Sequence, residues 1–165
     1  MIYSWGIDPG LHGAIALIAA DDEGKTIAYW HHNLPYDEGL VMPHRLDELV
    51  NQQPRAFGPL IITIEQPLFA HARIRSAKSV YSALTNFGRL TLWVEELLGS
   101  WQPAHPSSWK HAMGLSSDKG KSFELAREIF GVDFDRKQFG NKLNREGIVE
   151  AMLIAHYGIR VYTEL

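Results

Sequence analysis

Gly13-Ala-Ile-Ala-Leu-Ile-Ala-Ala20 carries no polar side chain, and it follows a second apolar segment, Met1 to Asp8, after one short turn. Apolar runs of this length, bounded by turn residues, are the pattern of buried strands. Strands apolar on both faces need cover on both sides, so the chain is constrained to a sheet flanked by other elements. Asp8-Pro9-Gly10 turns the chain after the first strand, Asp21-Asp22-Glu23-Gly24-Lys25 makes a hairpin turn, and Lys25 to His32 is a third strand, so three antiparallel strands follow in sequence.

Beyond that point the periodicity changes. Pro43 to Gln53 places Leu46, Leu49 and Val50 at helical spacing, and Pro59-Leu-Ile-Ile-Thr-Ile64 is an apolar central strand ending at Glu65-Gln66-Pro67. Val80, Leu84, Phe87, Thr91, Val94 and Leu98 mark a long amphipathic helix over Ala77 to Leu98, ended by Gly99. Gly88 inside it costs about 1 kcal/mol against Ala, which suits a position reserved for a close helix contact. Trp101 to His105 is read as a short strand, Pro106 to Met113 as a helix opened by Pro, Gly114 to Lys121 as a polar loop, and Ser122 to Phe130 and Asn144 to Tyr157 as further helices. The order predicts an α/β fold: a mixed five-stranded sheet, three strands antiparallel and then parallel, flanked by helices.

Composition narrows the chemistry. At 165 residues, 45% apolar and 21% charged, residues 1–165 are expected to form a single domain with a real core. With no Cys, the chain has no disulfide, thiol nucleophile, Cys-ligated zinc or iron–sulfur cluster, which suits a reducing cytoplasm. No apolar run approaches the roughly 20 residues of a membrane span, and no basic signal segment opens the chain, so a cytoplasmic protein without membrane association is expected. A formal charge of -3 argues against a uniformly basic coat for nucleic acid, although charge can be segregated by face.

Asp8 and Glu65 each end a very apolar strand and are each followed by a chain-turning segment. Open α/β sheets bind ligands just outside the carboxyl ends of their strands. Glu146 and Glu150 lie four apart on the last helix, hence on one face, where like charges repel by about 0.2 to 0.5 kcal/mol. Glu150 leads into Ala-Met-Leu-Ile-Ala, a run expected to be buried, so something positive should offset the pair. Four carboxylates without Cys or a His-x-x-x-His pair describe a site for a hard cation such as magnesium. Two Mg2+ or Mn2+ ions roughly 3.5 to 4 Å apart would stabilise the attacking and leaving oxygens of a phosphodiester displacement, which points to a nuclease.

Gly6-Ile-Asp8-Pro9-Gly10, Ile64-Glu65-Gln66-Pro67 and Glu146-Gly147-Ile-Val-Glu150-Ala151 resemble, in order and spacing across essentially the whole chain, the RuvC Holliday-junction resolvases of the RNase H-like superfamily, particularly the phage-type branch. The resemblance implies an RNase H-like fold, a homodimer, and paired metal-dependent nicking of four-way DNA junctions in recombination and repair, in a bacterial cell or phage-infected host. It matches Asp8, Glu65, Glu146 and Glu150 to the family's metal-binding tetrad and implies two Mg2+ ions, with Mn2+ as a substitute. The bacterial resolvases usually carry two Asp three apart on the last helix, whereas this chain has Gly147 and two Glu four apart. Glu146, one turn before Glu150, is expected to be the more peripheral ligand.

Cations for DNA phosphates cluster by segment: Arg73, Arg75 and Lys78 after the Glu65 turn, Lys110 beside Trp109, and Lys119 and Lys121 in the next loop. Phe69, beside Leu68, is either an apolar wedge for the junction or a core side chain. Two other readings are weaker. Gly114 to Ser122 looks like a phosphate loop, but it has five residues between its glycines where a Walker A sequence has four, so no nucleotide cofactor is expected. The eight His show no zinc-site spacing. The remaining alternative is a non-catalytic branched-DNA-binding protein on the same fold.

Overall fold

The computed structural model describes residues 1–51, 58–67, 77–116 and 118–164. The strands are β1 (Ile2–Asp8), β2 (Ala14–Ala20), β3 (Thr26–Asn33), β4 (Tyr36–Asp37), β5 (Leu40–Val41), β6 (Leu60–Glu65) and β7 (Gln102–Ala104). The helices are α1 (Pro43–Val50), α2 (Ala77–Leu97), α3 (Pro106–Ala112), α4 (Lys119–Phe130), α5 (Arg136–Phe139) and α6 (Lys142–Thr163). The main sheet has the order β3-β2-β1-β6-β7, antiparallel across β1, β2 and β3 and parallel from β1 to β6 and β7. This is the mixed five-stranded sheet that the sequence pattern requires.

Strand alternation sorts side chains between two cores. Trp5, Ile7, Ile15, Leu17, Ile62 and Ile64 face α1 and α2, where Leu46, Leu90, Trp93 and Val94 cover them. On the opposite face Ala14, Ala16, Ile18 and Ala20 pack beneath α6, whose run from Gly147 to Ala155 is wholly buried. The same alternation places Ser4, Gly6 and Asp8 on the α6 side of β1, with Thr63 and Glu65 on the α6 side of β6. Both strand-end carboxylates therefore point at the one helix that carries the other two.

The packing distance of α6 is set by small residues. A Cβ at Gly6 would lie 2.1 Å from the Ala151 carbonyl oxygen and 2.3 Å from the Ala155 nitrogen. Gly147 packs on the His12 carbonyl, and Gly158 packs on the Thr63 and Ser4 hydroxyls. Gly147, Ala151, Ala155 and Gly158 thus form a smooth stripe on which the helix lies against β1.

Several boundaries differ from the sequence reading. Asp118 caps α4 by accepting from the Gly120 N–H at 2.9 Å, so the helix starts at Lys119, and Lys119 and Lys121 are helical. Asn141 caps α6 in the same way, and the helix runs on to Thr163, well beyond Tyr157. Helix α1 closes at Val50, and Gln53 lies outside the described residues. The short pair β4–β5 and the single turn α5 were not foreseen, being too brief to show periodicity. Asn86 of α2 holds that hairpin, accepting from Val41 N–H at 2.9 Å and donating to the Gly39 carbonyl at 3.1 Å. Nothing lies within 4 Å of a Cβ at Gly88, so the close contact expected there is not made within the described part of the chain. Among the described residues no helix is long and apolar enough to cross a membrane.

Candidate active site

A cleft of about 380 Å³ opens at the carboxyl ends of β1 and β6, lined by Asp8, Glu65, Glu146 and Glu150 together with Lys110 and Lys119. Asp8 is 8% exposed and accepts from the Gly10 N–H at 2.9 Å, which closes the Asp-Pro-Gly turn around its own carboxylate. Tyr36 buttresses this turn by donating its hydroxyl to the Gly10 carbonyl. Glu65 accepts from the Trp109 indole at 2.7 Å. Glu150 accepts from both Lys119, at 2.7 Å, and Lys110, at 2.9 Å, on the same Oε1. Glu146 stands one turn nearer the rim, with Lys142 at 3.9 Å.

The depth order on α6 follows the sequence expectation: the Glu150 side chain is 9% exposed and the Glu146 side chain 17%. The positive charge anticipated for this pair comes, in this structure, from lysine. Burial, then the charge of Glu150, push Asp8 up to about 6 despite the Gly10 hydrogen bond. Burial, then Asp8 and Glu150, push Glu65 up to about 8, against the Trp109 hydrogen bond. Glu150 goes the other way: burial would raise it, but the hydrogen bonds and charges of Lys119 and Lys110 together hold it below the usual carboxylate range. Burial works against the charged form of Lys119, and the Glu150 hydrogen bond and charge outweigh it, so Lys119 is raised.

The donor set suits a hard cation: carboxylate oxygens from three separate elements, and two acids whose ionisation is opposed by burial and mutual repulsion that a divalent ion would relieve. With the side chains as they stand, no three His, Asp or Glu among the described residues converge closely enough to hold a metal ion.

Of the residues proposed for DNA, Lys110 and Lys119 line the cleft and are turned onto Glu150, while Lys121 is exposed on α4 and Lys78 is exposed at the start of α2. Phe69, Arg73 and Arg75 lie outside the described residues. Sequence reasoning missed Trp109 as a partner of Glu65, His12 at the cleft wall, and the Tyr36 buttress. Trp109 occupies a short helix with no periodicity to read, and its one signal is an indole directly before a lysine.

No family model matches this sequence, and no curated protein matches it significantly. Solved structures do match. A structure described as Thermus thermophilus RuvC in complex with Holliday junction substrate superposes with a TM-score of 0.68 at 17% identity, covering 95% of this chain and 92% of that one. A second Thermus thermophilus RuvC structure gives 0.64 at 17% identity, covering 98% of each chain. The chain therefore has the RuvC variant of the RNase H-like fold over essentially its full length.

Proposed function

We propose that this protein is a metal-dependent endonuclease that resolves four-way DNA junctions, and that it acts as a homodimer of the phage type. The observation that carries this reading is that Asp8, Glu65 and Glu150, from two parallel strands and one helix, line one cleft at the carboxyl end of the sheet. The fold adds weight, because a protein with the same architecture over 95% of this chain has been solved on a Holliday junction.

Asp8, Glu65 and Glu150, with Glu146 toward the rim, would hold two Mg2+ ions, and Mn2+ would substitute. When bound, these ions supply activation of a water and stabilisation of the leaving oxygen. The chain's own residues prepare the site. The Gly10 N–H fixes the Asp8 carboxylate, and Trp109 fixes one oxygen of Glu65. Lys110 and Lys119 neutralise Glu150 and line the cleft, where their ammonium groups would be donors for a DNA phosphate. Lys78 and Lys121, with Arg73, Arg75 and Phe69, are the further proposed DNA contacts. The exposed Tyr81, Leu84 and Leu92 on α2, together with the open space at Gly88, support that helix as the dimer surface.

The decisive experiment compares a synthetic four-way junction with a matched linear duplex, with and without Mg2+. Wild type should nick the junction in a metal-dependent way, and Asp8→Asn should bind the junction without cutting it. The Lys110–Glu150–Lys119 arrangement favours a second reading, a branched-DNA-binding protein without catalysis. Junction binding with no cleavage in Mg2+ or Mn2+ would select it.

A further inference from the structure

Two side chains adjacent in sequence treat the site carboxylates in opposite ways. Lys110 gives Glu150 a charged partner, whereas Trp109 gives Glu65 a neutral donor that cannot accept a proton or neutralise charge. Trp109 is fully buried, its N–H edge is tied to Glu65, and Lys110 Nζ lies 5.1 Å from the centroid of its ring. Its position is built by the strand beneath it. Ala104 of β7 is in register with Glu65, and the Gln66 N–H donates to the Ala104 carbonyl at 2.9 Å. Pro106 then opens α3 and brings Trp109 back over the end of β6. Among the described residues, Trp109 is the hydrogen-bond donor to Glu65.

From this juxtaposition we infer that Trp109 is a positioning residue for the cation site: it orients Glu65 by one oxygen while leaving the carboxylate's charge available to a divalent ion. The inference rests on the proposed metal-dependent nuclease reading. Outer-shell hydrogen bonds of this kind orient a ligand, and losing one typically weakens metal affinity by about 10- to 100-fold.

The structure contains its own control. Trp93 is also buried and donates to a carboxylate, Asp47, at 2.7 Å, but it does so in the core between α1 and α2, away from the cleft. Trp109→Phe and Trp93→Phe each delete an indole–carboxylate bond and keep a ring. Mn2+ binding to the full chain, followed by the electron paramagnetic resonance signal of free Mn2+, separates the two roles. Trp109→Phe should bind Mn2+ about 10- to 100-fold more weakly than wild type. Trp93→Phe should lose thermal stability and keep the wild-type affinity. Equal affinity for Trp109→Phe and wild type, or equal weakening by the two variants, would overturn the inference.

Should Trp109→Phe fail to fold, the indole 15N–1H spectrum of the wild-type protein decides the matter. The indole resonance displaced by Glu65→Gln should also be displaced by Mg2+, and a resonance that Mg2+ leaves in place overturns the assignment. Failure of the nuclease reading looks different: wild type itself would bind no Mn2+, and the role of Trp109 would fall with it.

Discussion

Gly6→Ala should be among the most damaging small substitutions in the protein. Gly6 is pinned on both sides, in register with Ala16 of β2 and Thr63 of β6, so the strand cannot yield. The added methyl would meet the Ala151 carbonyl oxygen at 2.1 Å and the Ala155 nitrogen at 2.3 Å, where ordinary contact begins at 3.4 Å. Both obstacles are helix backbone, so no rotamer change relieves them, and α6 must retreat by about 1.3 Å. Overpacking that forces backbone shifts costs about 1–3 kcal/mol, and this clash belongs at the upper end. A loss of about 3 kcal/mol lowers the melting temperature by roughly 6–12 °C for a chain of this size. Glu150 adjoins Ala151 and moves with the helix, and a misplacement near 1 Å costs about 100-fold in rate. Urea and thermal melts of the metal-free protein measure the first effect, and junction nicking measures the second. A Gly6→Ala protein as stable as wild type would refute the account of how α6 sits on the sheet.

Gly88→Ala should do the reverse, gaining about 0.5–1 kcal/mol in urea melts because the site is helix interior with open space around it. Loss of dimer in sedimentation on the same substitution would place Gly88 in the proposed interface. Lys119→Met should cost the metal-free protein about 1 kcal/mol, a partly buried pair discounted for the 46% exposure of the lysine, and Mg2+ should narrow the deficit. Asp8 and Glu65 are raised to about 6 and about 8, so the native state binds more protons than the unfolded chain between their ordinary values and these. Their contribution to metal-free stability is therefore lost as pH rises through that window. The Mg2+-induced rise in melting temperature should accordingly be larger at pH 8 than at pH 5.5, and an equal rise would count against carboxylate ligation. His31 and His156 are lowered by burial, then by His32 and Arg160 respectively, so they oppose stability as pH falls below 6.5. Replacing His156 with Phe should flatten that acid limb in a pH series of melts.

The sheet and the long helices were legible because burial leaves a pattern in the sequence. Unbroken apolar runs in β1, β2 and β6 record cover on both faces, and the three- and four-residue rhythm of α2 records which of its faces is covered. The strand-end acids stood out as a pair, since strands often end in a polar residue but two acids at the carboxyl ends of two apolar strands fall where open sheets bind ligands. Lys110 and Lys119 could be identified as nearby cations, but their target could not. Whether they face DNA or Glu150 depends on how α3 and α4 fold back over α6, and on an Asp118 cap that turned an expected loop into helix. Trp109 was hidden for the same reason, its partner being 44 positions earlier in sequence and set by the register of a three-residue strand.

The stripe Gly147, Ala151, Ala155 and Gly158 links the fold to the chemistry. A helix that approaches a sheet closely enough to touch its backbone brings its own carboxylates within the same field as Asp8 and Glu65, and burial strengthens the repulsion among them. A larger residue at any point of the stripe would separate the acids and relieve that repulsion, yet the helix is small along this entire line. The arrangement is thus costly in the metal-free state: Lys110 and Lys119 outweigh burial at Glu150, which they hydrogen-bond, whereas at Asp8 and Glu65 their charge only partly opposes the upward push. Asp8 and Glu65, which receive no ammonium hydrogen bond from the described residues, are the two acids whose ionisation remains opposed. The unmet electrostatic demand of the cleft is therefore concentrated at the ends of β1 and β6, and those two carboxylates are the ones whose ionisation positive charge in the cleft would favour most.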